Sequence, residues 1–372
     1  VIALVNAVWT ILGRGPIELA GGGSERRIVG IDVARALAIL GMVLVNVRGK
    51  AHAYGSDYEW LVWASDRSEG KFAALFVLLA GIGISLRSRG FASASSEDRW
   101  AARRTLLERA AIIFGLGLLN LHMWSWDILH FYGVYLTLAA LLLGVSSRTL
   151  WGLAIAFTVG GLVAFVNFDW WQPTEFWTLA GGLRKLFFNG LHPVLPWMTF
   201  LLIGMWLGRR DLGDAKFRRR VLLTSIGVLI VAECLDWAAR PGLHSPAPLY
   251  GWEHKDLLRA WPRPARPGFV AAGAAFALIV VCLAIELTQR RRDAGWVLAL
   301  TATGQLALTI YLAHAVAIVI LMHHAVLLHP PVELAFAWGL GFYALAVGLA
   351  VWWRRRWRDG PIEGLIRQVI ER

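Results

Sequence analysis

Asp32 and Arg35 stand three residues apart at the start of an apolar run, Ile31 to Val47, and Asn46 stands near its far end. Ionisable side chains are costly in hydrocarbon, so those inside a spanning helix face protein or a water-filled cavity. A spacing of three sets Asp32 and Arg35 on one helix face. There they either form an ion pair that orients the helix or take part in chemistry. Asn46 lies about 16 Å beyond Arg35 along a helix axis. Its carboxamide can serve a neighbouring helix or a substrate carbonyl.

The other polar groups with chemical potential are histidines set among apolar residues. Leu121-His122-Met123-Trp124-Ser125-Trp126-Asp127-Ile128-Leu129-His130 joins two further apolar runs. Asp127 can cap the helix that follows, because a carboxylate accepts from free N–H groups there. It can equally orient a histidine that moves protons, and His122 and His130 flank it. In Gly190-Leu191-His192-Pro193-Val194-Leu195-Pro196-Trp197 the prolines suit a helix start, and His192 is the titratable group. His314 falls near the middle of the run 304–324. A lone histidine on an apolar face is usually a packed core residue, but at the bilayer midplane the balance moves toward function. His52 completes the set. No His-Glu-x-x-His pattern or tight ligand spacing occurs, so no metal is expected. Nor is there a Gly-x-Ser-x-Gly nucleophile elbow.

The elements that position these residues are read from hydropathy. The chain is 57% hydrophobic and 17% charged, with a mean hydropathy of +0.56. A soluble domain would carry about 25% charged residues. Apolar runs cover 31–47, 71–86, 105–123, 128–145, 150–167, 193–208, 221–239, 269–288, 304–324 and 332–353. A spanning helix needs ~20 residues, so the expected fold is all-α: a polytopic integral membrane bundle of about ten transmembrane helices. No separate soluble domain fits. Cys234 and Cys282 both lie in apolar runs and provide neither a disulfide framework nor a thiol metal site.

A net charge of +12 could indicate a nucleic-acid partner. Its distribution argues for topology instead. With residues 1–27 in the cytoplasm and ten helices following, most Lys and Arg residues fall on cytoplasmic connections, as the positive-inside rule requires. Both termini are then cytoplasmic, the partner is the lipid bilayer, and no nucleic acid is expected. Val1 to Leu12 is apolar but too short to span. It reads as an interfacial segment rather than a signal peptide, followed by a glycine-containing linker to Arg27. Most of the 20 tryptophans suit interfacial belts, with an aromatic sugar platform as the sharper alternative. Gly81, Gly83, Gly115 and Gly117 allow close helix approach. Gly15-Pro16-Ile17-Glu18 recurs as Gly360-Pro361-Ile362-Glu363.

The stretch Ile31 to Asn46, with its Asp-x-x-Arg opening and Val-Asn end, resembles the start of the heparan-alpha-glucosaminide N-acetyltransferase catalytic domain. Gly70-Lys71-Phe72-Ala73-Ala74-Leu75-Phe76 with Ala80-Gly81 resembles its second helix. Trp126-Asp127-Ile128-Leu129 and His192-Pro193-Val194-Leu195-Pro196-Trp197 resemble stretches of bacterial members. Gly304-Gln305-Leu306-Ala307-Leu308-Thr309-Ile310-Tyr311-Leu312, with Gly360-Pro361-Ile362-Glu363, resembles the YeiB-like domain of unknown function. The implied organisation is an N-terminal segment, 1–27, and one transmembrane domain, 28–372. Its halves are acetyltransferase-like at 28–208 and YeiB-like at 209–372.

The resemblance implies a multi-pass acyltransferase of a bacterial inner membrane, taking an acetyl group from cytoplasmic acetyl-CoA to a glycan or small-molecule acceptor outside. Such chemistry needs a base and an oxyanion donor. His52 or His122 is the expected base and Asp127 the orienting carboxylate. Asn46, Arg35, Asp32, Trp126, His192, Trp197 and His314 are expected substrate contacts. Arg87, Arg89, Arg209 and Arg210 suit the phosphates of the donor, and Arg35 suits the path of its pantetheine arm. Two other classes stay open. A transporter would show related halves and broken midplane helices, which the sequence does not display clearly. A non-catalytic subunit would bind no CoA. Oligomeric state is open, a dimer included.

Overall fold

The computed structural model describes residues 28–50, 58–170, 172, 174–239, 258–324 and 329–371. Its elements are helices: α1 Val29–Lys50, α2 Glu59–Ser68, α3 Lys71–Arg87, α4 Ser96–Leu121, α5 Leu129–Leu141, α6 Ser147–Asn167, α7 Leu179–Arg184 continued by a π turn Lys185–Asn189, α8 Val194–Gly208, α9 Ala215–Ala238, α10 Pro267–Gln289, α11 Gly295–Gln305, α12 Ala307–His323, α13 Val332–Arg354 and α14 Pro361–Ile370. No sheet forms among the described residues.

This is a multi-pass membrane protein. Each of the ten apolar runs contains a helix, but not every one is a spanning helix by length and composition. Among the described residues six stretches qualify: α1, Glu59–Arg87, α6, α9, α10 and α13. Two pairs bent at a break, α7 through its π turn with α8 (53°) and α11 with α12 (76°), raise the number to as many as eight. α5 has 13 residues, about 20 Å of rise, which is less than the hydrocarbon thickness. α4 carries a strongly charged first half, from Glu97 and Asp98 to Arg104 and Glu108. The two helices pack against each other, with Gly117 lying against the backbone of His130.

The described residues form two compact units. The first contains the chain to Phe76, His122–Ser125 and Val280–Arg372. In it α1 packs against α11, α12, α13 and α2. The α1–α11 contact is close because Gly304 has no side chain. A Cβ there would collide with the backbone carbonyl of Asp32. The break between α11 and α12 falls at Leu306, which gives α12 no side-chain cap. Glu363 of α14 supplies it: Oε1 accepts from the N–H of Leu308 (2.8 Å) and Thr309 (3.1 Å), and Oε2 accepts from Thr309 Oγ1 (2.6 Å). A carboxylate suits those free N–H groups. Pro361 in the first turn of α14 has no amide to leave unsatisfied. The Gly-Pro-Ile-Glu stretch at 360–363 is therefore a capping device. Its twin at 15–18 lies outside the described residues.

The second unit contains Val77–Leu121 and Trp126–Ile279. α3 and α8 cross through glycine at both surfaces. A Cβ on Gly81 would strike the Leu201 carbonyl, and one on Gly204 the Leu78 carbonyl. Ser85 Oγ donates to the Met205 carbonyl at 2.6 Å, and Gly208 lies against Ile82 and Ser85. These contacts advance together along both helices, so α3 and α8 run parallel. Gly83 and Gly115, by contrast, face open space.

Candidate functional site

In the first unit, α1 presents Asp32, Arg35 and Asn46 at two levels. Arg35 Nη1 donates to Asp32 Oδ1 at 2.7 Å and reaches the Gly304 carbonyl at 3.4 Å. Asp32 is 4% exposed and the Arg35 side chain 24%, so the carboxylate is buried and the guanidinium half-buried. Near the far end of α1, Asn46 Nδ2 lies 3.0 Å from His314 Nε2. The other imidazole nitrogen, Nδ1, bonds the Tyr311 carbonyl. A carbonyl only accepts, so Nδ1 carries the proton in the neutral ring, and Nε2 accepts from the Asn46 amide. His314 is 1% exposed. Trp124 meets its ring edge-on at 5.9 Å, and Lys50 Nζ sits 5.2 Å over the Trp124 ring while donating to Ser125 Oγ at 2.6 Å.

A cavity of about 440 Å³ opens beside this pair, lined by residues of α1, α12 and α13, His314 among them. On α11, Thr301 Oγ1 and both polar atoms of Gln305 are buried without a hydrogen-bond partner among the described residues. Thr105, Thr137, Thr158, Thr288 and Thr303 each donate to the carbonyl four residues back, the usual outlet for a helical hydroxyl. Thr301 does not.

The second unit holds a different histidine. Asp127 is fully buried, and its Oδ2 accepts from His130 Nδ1 at 2.8 Å and from the His130 backbone N–H at 3.0 Å. Its Oδ1 accepts from Asn120 Nδ2 at 2.8 Å. Asp127 thus bonds the α5 N-terminus and orients an imidazole with one side chain. Tyr135 donates to the His192 carbonyl at 2.5 Å. The His192 and Trp197 rings meet edge-on at 4.5 Å. His192 Nδ1 and Trp197 Nε1 are both buried without a partner among the described residues. Trp126 lies under the Arg263 guanidinium at 5.6 Å. The parallel course of α3 and α8 brings Arg87, Arg89, Arg209 and Arg210 out at one end of the helix pair. Arg209 is tied to the Val145 carbonyl, and Arg210 lies 5.4 Å over the Trp206 ring.

Of the residues singled out from sequence, Asp32 joins Arg35, Asn46 joins His314, His192 joins Trp197, and the four arginines gather at one helix-pair end. Asp127 joins His130, a residue noted beside it but not chosen. His122 is exposed at the end of α4. His52 lies outside the described residues. Asn120, Thr301 and Gln305 were missed. An Asp–His spacing of three at a helix start was the available signal for His130. Nothing local marks the other three. No cluster of three or more His, Cys, Asp or Glu side chains able to hold a metal occurs among the described residues.

The chain matches the family described as heparan-alpha-glucosaminide N-acetyltransferase, catalytic, over residues 27–243. It matches the family described as a protein of unknown function, DUF418, over residues 265–372. It is 26% identical to the uncharacterized protein YeiB of Escherichia coli (strain K12) over 403 aligned positions, covering 93% of this chain and 97% of that protein. No solved structure matches it.

Proposed function

This chain belongs to the heparan-alpha-glucosaminide N-acetyltransferase catalytic family, and on that footing we propose that it is a membrane acyltransferase working from an acyl-CoA donor. The acceptor is a hydroxyl or amine of a sugar or other small molecule on the far side of the membrane. We place it in a bacterial inner membrane, and the distribution of basic residues supports both termini in the cytoplasm.

One observation carries the reading: the hydrogen bond between Asn46 and His314 beside a cavity. Asn46 comes from the first family segment and His314 from the second. In the proposed reaction the acceptor O–H or N–H displaces the Asn46 N–H from His314 Nε2. The imidazole takes that proton as the acceptor atom attacks the thioester carbonyl. The released Asn46 N–H turns to the developing oxyanion. The carbon–sulfur bond then breaks, and the thiolate recovers the proton from His314 as the free thiol of CoA. Asp32 and Arg35 hold α1 at the donor end. Arg87, Arg89, Arg209 and Arg210 are proposed for the phosphates. His192, Trp197 and Trp126 are proposed acceptor contacts.

Asp127–His130 is the alternative base, favoured by its fully buried carboxylate–imidazole bond. His52 and His122 enter the same variant series. The test is thiol release from acetyl-CoA by full-length protein in nanodiscs, with and without a glucosaminide acceptor. Acceptor-dependent release, lost in His314→Ala, supports the reading. No CoA binding and no release overturn it. A carrier is the second class, supported by the two bent helix pairs. Substrate uptake into proteoliposomes without any acyl donor would establish it.

A further inference from the structure

The cavity beside His314 has the wrong chemistry for a sugar and far more room than an acetyl group needs. Its volume is about 440 Å³, space for about fifteen groups of water's size at ~30 Å³ each. A methylene is of similar size. Among the described residues His314 is its one ionisable lining residue. The floor is made by Val43, Val47 and Ile318, each at most 3% exposed. The rim is the stretch of α13 from Leu334 to Leu345, with Trp338 39% exposed. That stretch is about 16 Å long. α1 and α13 are both candidate spans, so the rim faces hydrocarbon.

Resting on the acyl-transfer reading, we infer that this groove takes the acyl chain of the donor thioester, and that the chain is a medium-length hydrocarbon rather than acetyl. The argument for the donor is continuity. The thioester carbonyl is proposed to sit at Asn46 and His314, and the atoms joined to it must leave from there. Apart from His314 and the Trp338 N–H, the lining has no polar side chain among the described residues to receive an acceptor's head group. A lipid acceptor would bring its reacting polar end to an apolar wall, at a desolvation cost.

Gly341 supplies the test. It lines the groove, and a Cβ built on it meets nothing within 4 Å. Gly341→Leu therefore fills the space without a backbone collision, and Gly341→Ala fills it in part. Binding of acetyl-, octanoyl- and dodecanoyl-CoA to full-length protein in nanodiscs is measured, together with thiol release. Wild type should bind octanoyl-CoA at least about tenfold more tightly than acetyl-CoA, because buried methylenes add affinity. Gly341→Leu should erase that preference while leaving acetyl-CoA binding unchanged, with Gly341→Ala intermediate. Equal affinity for all chain lengths in wild type overturns the inference and leaves acyl transfer standing. So does an equal loss for acetyl- and octanoyl-CoA in both glycine variants. A response of Gly341→Leu confined to a lipid-anchored acceptor, with the donor series flat, assigns the groove to the acceptor and overturns it too. Failure of wild type to bind any acyl-CoA removes the acyl-transfer reading along with it.

Discussion

Asn46 and His314 are 268 residues apart in sequence, and their side-chain nitrogens are 3.0 Å apart in the fold. Each lies in a different family segment, 27–243 and 265–372. The contact joins the two segments through one pair of side chains. A histidine in one has its proton placed by a carbonyl of its own helix and its lone pair met by an amide from the other.

Replacing either partner should therefore cost activity before it costs the fold. His314→Ala is expected to lower acceptor-dependent thiol release by about 10²–10⁴-fold, the range for loss of a general base. Asn46→Ala should lower it by about 10²–10³-fold, the range for loss of an oxyanion donor. The double variant should be little worse than His314→Ala, since groups acting as a unit are not additive. Full activity in His314→Ala would hand the role to another histidine.

Asp127 should behave as a structural hub. It accepts from an amide N–H, an imidazole and a carboxamide with no exposure to solvent. Asp127→Ala leaves these donors buried and unmet, at about 1–3 kcal/mol each. The expected result is a large fall in melting temperature of the detergent-purified protein, with His130→Gln and Asn120→Ala milder. If His130→Gln melts like wild type yet abolishes thiol release, His130 is the base in place of His314.

The glycines separate into two kinds. Gly81→Ala and Gly204→Ala drive a methyl group into the carbonyls of Leu201 and Leu78, and overpacking of this kind costs about 1–3 kcal/mol. Gly83→Ala and Gly115→Ala enter open space and should gain up to about 1 kcal/mol from helix propensity. Melting curves of the four variants check this directly. Equal destabilisation would mean that the α3–α8 crossing is not glycine-dependent.

Thr301 and Gln305 make the opposite case. Their polar atoms are buried without partners among the described residues, so removing them should not weaken the ligand-free protein. Thr301→Val and Gln305→Leu are expected to melt at or above the wild-type temperature. A fall of several degrees would show that water or another group already satisfies them.

Hydropathy located a helix in every apolar run, because burial in lipid writes itself as unbroken apolar sequence. The run 304–324 begins two residues before the break at Leu306, so it marks α12 and leaves out most of α11, which meets it at 76°. Asp32 with Arg35 was legible, being a local pair at helical spacing. Asn46 with His314 was half legible: each residue stood out as polar in an apolar run, but nothing in the spacing of one pointed to the other. His130 was overshadowed by His122, since both flank Asp127 in sequence. Only the start of α5 at Leu129 decides which one returns to the carboxylate. Gln305 and Thr301 gave no signal, because an amide or hydroxyl near a run's edge looks like ordinary interface chemistry.

The carboxylate that closes the first turn of α12 arrives from Glu363, 55 residues downstream of the Leu308 amide it accepts from. During synthesis α12 leaves the ribosome with those amides bare, and they stay so until α14 has followed it. Assembly of the helix that carries His314 is thus completed by a later segment, and a chain cut short before α14 would insert into the membrane yet leave that helix unfinished.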